Sequence, residues 1–531
     1  MTDAIVIGAG PNGLVAANIL ADAGWSVVVV EAQDAPGGAV RTAELTLPGF
    51  QHDVFSAFYP FAPLSPAMRC LALERYGLVW RHAPIVLANP TPDGRCAVIS
   101  TDIDVTAASL DEYHQGDGDA WRHLYGVWER IGMTLVDALF SPLPPIVSGA
   151  RLVTRVGASE LGRLARMALL TTRRLAEEEF SGEGAGLLLA GLTAHTDLSP
   201  ESAGGALFAL LLAAAGQSGG FPVPQGGAGE LTGALVRRLE ARGGQVICGA
   251  PVTDVVVRQG RAVAVRMAGG QEIGAVRAVV ADVGAPALYL KLVGERHLPP
   301  GVALDARRFE YDHATFKMDW ALDAPVPWSA EAARQAGTVH VADGIDDLSR
   351  TSYELTTGAI PSRPFILFGQ QCLADPARAP IGAATGWAYT HVPQRVLRDA
   401  GGSLTGSWDR GECEAFADRM ELRIEELAPG FRSLIRARHI QSPPELEARD
   451  ANLVGGAVNG GTAQLHQQLA LRPTPGLGRA TTPIDGLFLA SASAHPGGGV
   501  HGACGANAAR AALAADRPLN RLLSRVLPGT H

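Results

Sequence analysis

Short apolar runs and longer amphipathic stretches alternate along this chain, and their periods predict a mixed α/β protein. Residues 4–7 (Ala-Ile-Val-Ile) and 27–30 (four valines) are unbroken apolar runs of strand length, the pattern of parallel strands buried on both faces. Residues 14–23 between them carry helical spacing, ended by Gly24. Further on, residues 245–248, 253–257 and 278–282 read as strands, preceded by an amphipathic helix that runs to Arg242 and a Gly243-Gly244 break. Residues 486–491 predict one more strand and residues 503–514 an alanine-rich helix. The stretches between differ: helical runs near 119–139, 158–180 and 203–215, several strongly apolar, and an alternating strand over 314–322. The run 203–215 is shorter than the ~20 residues a membrane-spanning helix needs. It is expected as a core helix, with a membrane-surface helix as the alternative.

The first strand leads directly into Gly8-Ala9-Gly10-Pro11-Asn12-Gly13, and the second closes on Glu31. Gly8 permits the tight turn, Gly10 lets the backbone approach a pyrophosphate, and Gly13 lets helix and strand pack closely. The helix start offers unpaired N–H groups and a positive dipole end to the phosphates. Glu31 can accept hydrogen bonds from both ribose hydroxyls and would repel a 2′-phosphate.

After Glu31 the chain continues through Pro36-Gly37-Gly38-Ala39-Val40-Arg41-Thr42. This segment resembles the FAD-dependent amine oxidase and carotenoid desaturase superfamily, whose motif after the acidic residue is G-G-x-x-x-T. The resemblance implies that Gly37 and Gly38 lie against the FAD pyrophosphate and that Arg41 contacts it. A second segment, Gly226-Gly227-Ala228-Gly229-Glu230-Leu231 and the strands after it, resembles the family's return to the FAD domain. It implies that the Val252 backbone pairs with the adenine edge. The third segment ends a strand at Ser491 and continues Ala494-His495-Pro496-Gly497-Gly498-Gly499-Val500-His501-Gly502. Consecutive glycines at a helix start let a flat ring lie close against the backbone, and the helix dipole would stabilise negative charge on a reduced flavin. This P-G-G-G-x-x-G form resembles phytoene desaturases, O-type carotene ketolases and related oxidoreductases. Amine oxidases usually show a different glycine pattern here. Ser491, Gly498, Gly499 and Val500 join Gly8, Gly10, Pro11, Asn12, Gly13, Glu31, Gly37, Gly38, Arg41 and Val252 as candidate cofactor contacts.

The fold expected is α/β: a Rossmann-type FAD-binding domain assembled from discontinuous segments (1–58, 221–290 and 481–516), plus an α+β substrate domain with a sheet and apolar helices (59–220 and 291–480), partly a helical subregion. Lys317, Tyr389 and His495 are the candidate catalytic residues. Lys317 lies in Thr315-Phe316-Lys317-Met318-Asp319-Trp320, which resembles an amine oxidase strand whose lysine holds a water beside flavin N5. A strand-end lysine reaching solvent and an ion pair with Asp319, on the same strand face, are the alternatives. Tyr389 and His391 resemble a segment of the phytoene-desaturase-like group and are read as pocket-lining, acidic or structural. His495 and His501 face the flavin or cap the helix. With no carboxylate or cysteine cluster beside them, no metal is expected. Cys504 reads as a small apolar helix residue rather than a covalent flavin link.

Composition narrows the function. At 531 residues more than one structural domain is expected, and a net charge of −9 gives no support to nucleic-acid binding. Six scattered cysteines and a strand at the very start fit a reducing cytoplasm without a signal peptide. Apolar walls imply an apolar small-molecule substrate, isoprenoid or polyene-like, dehydrogenated or oxidised by hydride transfer to flavin N5. A flavin amine oxidase releasing hydrogen peroxide is the first alternative. A non-catalytic lipid- or prenyl-binding escort protein of the same fold is the second. No second strand–G-x-G-x-x-G–helix unit follows, so O₂ or a quinone is the expected electron acceptor. The apolar helices suggest peripheral membrane contact.

Overall fold

The computed structural model describes residues 2–156 and 158–517. The apolar runs become the inner strands of one sheet, ordered Gln245–Ile247, Val27–Val30, Thr2–Ile7, Glu272–Ala281 and Leu487–Leu489, with every neighbour parallel. A hairpin of Val252–Arg258 and Arg261–Met267 adds antiparallel to the first half of Glu272–Ala281. The sheet joins segments from the start, middle and end of the chain. Residues of helices Pro11–Asp22, Gly229–Glu240 and Ala503–Ala515 share one apolar cluster on it. The first and last of these meet closely: a Cβ at Gly505 would stand 1.9 Å from the Asn12 carbonyl oxygen.

Register decides where the site can be. Ile7 pairs with both Val30 and Ala281, and Ala281 pairs with Leu489. The four strands therefore end level, and the loops after them emerge on the carboxyl edge, where open α/β sheets bind ligands.

A second sheet of seven strands runs Ile435–Gln441, Ala314–Leu322, Ala384–Val392, Ile366–Gly369, Ala336–Val341, Ile85–Pro90 and Cys96–Ile99. All neighbours are antiparallel except Ala336–Val341 with Ile85–Pro90. Ala314–Leu322 is buried along its whole length, because a helix-bearing layer covers one face and the cavity wall the other. Helix Arg410–Glu425 supplies much of that cover through Phe416, Ala417, Met420 and Ile424, while helices Asp117–Phe140, Glu183–Thr193 and Gly205–Gly219 share an apolar cluster with Ile85–Pro90 and Cys96–Ile99. The run 203–215 thus resolves as a packed helix. No helix among the described residues is long and apolar enough to cross a membrane.

Two expectations are corrected. The run 158–180 is two helices, Ala158–Met167 and Thr172–Glu179. Thr171 is extended and its hydroxyl accepts the Arg174 N–H at 3.1 Å, so the side chain caps a new helix instead of continuing the old one. The strand over 486–491 is only Leu487–Leu489, and its ladder ends where the Ala490 N–H donates to the Ala281 carbonyl.

Candidate active site

At the carboxyl edge the first glycine loop is held by backbone and carboxylate contacts. Gly10 is the extended N-cap of Pro11–Asp22, with proline in the first turn where no N–H is needed. A Cβ at Gly13 would stand 2.2 Å from the Gly8 carbonyl oxygen, so only glycine fits. The Gly13 N–H donates to Asp282 at the end of the neighbouring strand at 2.8 Å. Burial pushes the Asp282 carboxyl up to about 7 against that hydrogen bond. Glu31 is buried and accepts the Ala9 N–H at 2.7 Å and the Gln33 N–H at 2.9 Å. It ties the loop to the second strand and keeps lone pairs on both oxygens. Ala250 donates to the Glu31 carbonyl just before Val252, which opens the hairpin.

Gly37 and Gly38 fold back on this loop. Gly37 donates to the Ala9 carbonyl, and a Cβ at Gly38 would stand 3.2 Å from Gly10. Arg41 donates from Nη2 to the Arg449 carbonyl at 3.0 Å, while its buried Nε has no partner. A buried unpaired guanidinium N–H beside two glycine loops is costly unless an anion arrives. The Asn12 Oδ1 is likewise buried without a partner. The orphaned Arg41 N–H and the tight glycine approach fit a bound dinucleotide pyrophosphate; the Asn12 oxygen, an acceptor, does not.

The third loop forms a second cradle. Ser491 follows its strand and accepts the Ser493 N–H at 3.3 Å. The His501 Nδ1 accepts the Ala503 N–H at 3.0 Å, and its Nε2–H lies 3.1 Å from the Gly498 carbonyl. His501 thus caps the helix and clamps the turn as a neutral ring, and burial lowers it to about 4. The Cys504 thiol donates to the Ala494 and Gly497 carbonyls. Gly499 has φ +124° and Val500 φ +51°. For a β-branched residue that left-handed backbone costs about 1–3 kcal/mol, strain that collects at functional turns.

This cradle opens on a cavity of about 450 Å³. Residues 495–501, Ala39, Lys317 and Tyr389 line it together with Leu207, Phe208, Leu211, Leu465 and Leu469. Lys317 and Tyr389 are direct partners across two strands, with Leu367 next in the row. Lys317 is buried and ion-paired with Asp319, so the solvent-reaching alternative is overturned and the ion pair is found. Burial lowers the Lys317 ammonium while Asp319 opposes this, and burial pushes Asp319 up to about 6. Tyr389 is raised by burial and stays protonated. His495 is lowered to about 4 by burial, against the opposing pull of the Ser141 and Leu139 backbone beside its ring. His391 is buried beside Tyr389 but does not line the cavity.

Sequence reasoning missed His195, Asn459 and Arg472, which also line the cavity. His195 Nε2 meets His340 Nε2 at 2.9 Å across 145 positions. Arg472 is buried and donates to the carbonyls of Asn459, Thr462 and Ala492. No local spacing marks such residues, because their partners lie on other segments.

Comparison with known proteins bears on the fold and the cofactor. Residues 6–70 match the NAD(P)-binding Rossmann-like domain, and residues 133–362 match the flavin containing amine oxidoreductase family. Pyridine nucleotide-disulfide oxidoreductase domain-containing protein 2 of Mus musculus is 27% identical, covering 96% of this chain and 92% of its own. A subunit of the limonene dehydrogenase of Castellaniella defragrans is 24% identical over 98% and 95%. Phytoene desaturase (lycopene-forming) of Pseudescherichia vulneris is 26% identical over 97% and 99%. Among solved structures, putrescine oxidase bound to putrescine superposes with TM-score 0.59 at 17% identity, over 97% of this chain and 98% of its own, a likeness of fold. With both glycine cradles in place and relatives aligned along nearly its full length, the chain is an FAD-dependent oxidoreductase similar to the flavin amine oxidases and carotenoid desaturases.

Proposed function

We propose that the protein dehydrogenates or oxidises an apolar substrate of isoprenoid or polyene type. The observation that carries this reading is the shared cavity: the glycine turn at 497–499 and a wall of leucine and phenylalanine side chains bound the same space. Among the described residues no lining side chain is Asp or Glu, whereas Lys317 and Arg472 bring two cationic side chains. An ammonium substrate finds no carboxylate there, and an apolar chain brings no polar group of its own that would need a partner. Relatives named for limonene, phytoene and hydroxyneurosporene support the same substrate class.

Bound FAD supplies the hydride acceptor and passes two electrons onward. Gly8, Gly10, Pro11, Asn12 and Gly13 receive its pyrophosphate with Gly37, Gly38 and Arg41. Glu31 takes the ribose, Val252 the adenine edge, and Ser491, Gly498, Gly499 and Val500 the ring system. Among the catalytic candidates, His495 lines the cavity beside the glycine turn and is kept neutral by burial, which supports it as the acceptor of the substrate proton. Tyr389 keeps its hydroxyl hydrogen and orients ligands in the cavity. Lys317, held by Asp319, positions water or O₂. O₂ or a quinone is the expected acceptor. Exposed Ile146, Val147 and Leu169, near the cavity-lining Leu139, Phe140 and Ala168, support peripheral membrane contact.

Anaerobic mixing of the flavin-loaded protein with limonene, longer isoprenoids and a panel of primary amines tests the reading. Bleaching of the visible flavin band by an isoprenoid, with an unsaturated or oxygenated product, is the expected result. Bleaching by amines alone, with peroxide on aeration, overturns it in favour of amine oxidation.

A further inference from the structure

Arg472 is a buried cation without a matching anion. It is 1% exposed. Its Nε and Nη2 donate to the Ala492 carbonyl at 3.0 and 2.7 Å, Nη2 to the Asn459 carbonyl at 3.1 Å, and Nη1 to the Thr462 carbonyl at 2.9 Å. These carbonyls take up four of its five hydrogens but supply only dipoles, and no carboxylate contacts it among the described residues. Asp197 and Asp312 attract it from further away. Both are engaged elsewhere: Asp197 accepts from Thr462 and the Ala463 N–H, and Asp312 accepts from the Val458 and Asn459 N–H groups. Burial also pushes the Asp312 carboxyl up to about 7, which weakens it as a counter-charge. The neighbouring histidine, His495, is kept neutral by burial.

A full charge in this setting is expensive unless a negative partner is present for part of the working cycle. The geometry says where that partner sits. A Cβ at Gly497 would stand 3.4 Å from the guanidinium carbon, so the cation lies directly behind the glycine turn. The N-terminus of helix Ala503–Ala515 points at the same turn. Helix end and guanidinium converge on it with the same sign of charge.

We propose that Arg472 stabilises the negative charge that bound flavin carries after reduction. The inference rests on the reading that the ring system lies against residues 497–500. In the redox step the substrate carbon gives up a hydride, two electrons and one proton, and the flavin takes all three. The substrate's second proton goes to a base, so the reduced ring keeps one net negative charge. Arg472 holds that charge through space and raises the flavin's affinity for electrons. It is a positioning residue, since the Gly497 backbone stands between it and the ring. The fixed fork of carbonyls prevents it from swinging toward solvent.

The test is the midpoint potential of the bound flavin in wild type, R472M and R472K, measured by photoreduction with reference dyes. R472M is expected to weaken the preference for the reduced form at least tenfold, about 30 mV for a two-electron couple. R472K keeps the charge and is expected to stay within threefold of wild type even if it folds less stably. A purely structural staple predicts the reverse: both variants lose stability and neither moves the potential. R472M that holds FAD at the wild-type potential overturns the proposal. Should R472M not fold, the absorption spectrum of reduced wild type decides. The anionic reduced form is expected to persist below the pH at which free reduced flavin takes up its N1 proton, and a neutral reduced form there overturns the proposal. Wild type that takes up no FAD sinks the cofactor reading itself, a separate outcome.

Discussion

The carboxyl edge of the parallel sheet and the cavity beside the second sheet prepare binding by opposite means. At the edge the backbone is what binds: residues 8–13 and 37–38 bring bare Cα positions to one place, residues 497–500 form a second glycine turn, and side chains such as Glu31 and Asp282 brace the first loop. Around the cavity the chemistry sits in side chains, Lys317, Tyr389, His195, His495 and Arg472, drawn from five separate segments. Backbone sites fail when a side chain intrudes. Side-chain sites fail when one partner of a buried group is lost. The two regions should therefore break differently, and the following variants separate them.

Gly13→Val should have the largest effect. Its Cβ would meet the Gly8 carbonyl at 2.2 Å, a clash costing about 3 kcal/mol. That corresponds to a loss of FAD affinity of at least about a hundredfold, read as flavin per protein after purification. Lys317→Met should leave FAD bound but strand the buried Asp319 carboxylate, destabilising the fold by about 3–5 kcal/mol. Urea unfolding of the flavin-saturated protein measures it, and Lys317→Met with Asp319→Leu should recover most of the loss. Leu211→Trp should fill the apolar side of the cavity. Flavin content should stay unchanged while turnover of an apolar substrate falls about tenfold, a barrier rise of about 1.4 kcal/mol.

The smallest effect is expected at His501. Removing its cap with His501→Gln should cost about 1 kcal/mol. Its folded-state affinity for protons lies near 4 against an ordinary value of 6.5. Between those values the unfolded chain binds the extra proton, so stability is full above 6.5 and is lost as pH falls toward 4. His501→Gln should flatten that slope in urea midpoints measured across the window.

The same contrast explains what the sequence made legible. Residues 4–13, 27–31 and 495–502 are readable because a short strand, a glycine spacing and a helix start act within one stretch of chain. The strand Ala314–Leu322 is readable from its alternation, and the Lys317–Asp319 pair from their spacing of two. The break at Thr171 is not, since Thr171 and the residues around it also suit a helix interior, and only the capping geometry shows the choice. Nor is Arg472, whose three acceptor residues come from two other loops. His195 with His340 is hidden for the same reason.

Everything proposed for the chemistry depends on one cavity joining the flavin cradle to an apolar substrate wall. Determining the structure of the FAD-bound protein with an isoprenoid tests this most directly. The ring system is expected against Gly498, Gly499 and Val500, one face toward Lys317 and Tyr389, with the isoprenoid between it and Leu207, Phe208 and Leu211. A ring bound away from that turn, or an isoprenoid outside the cavity, would contradict it.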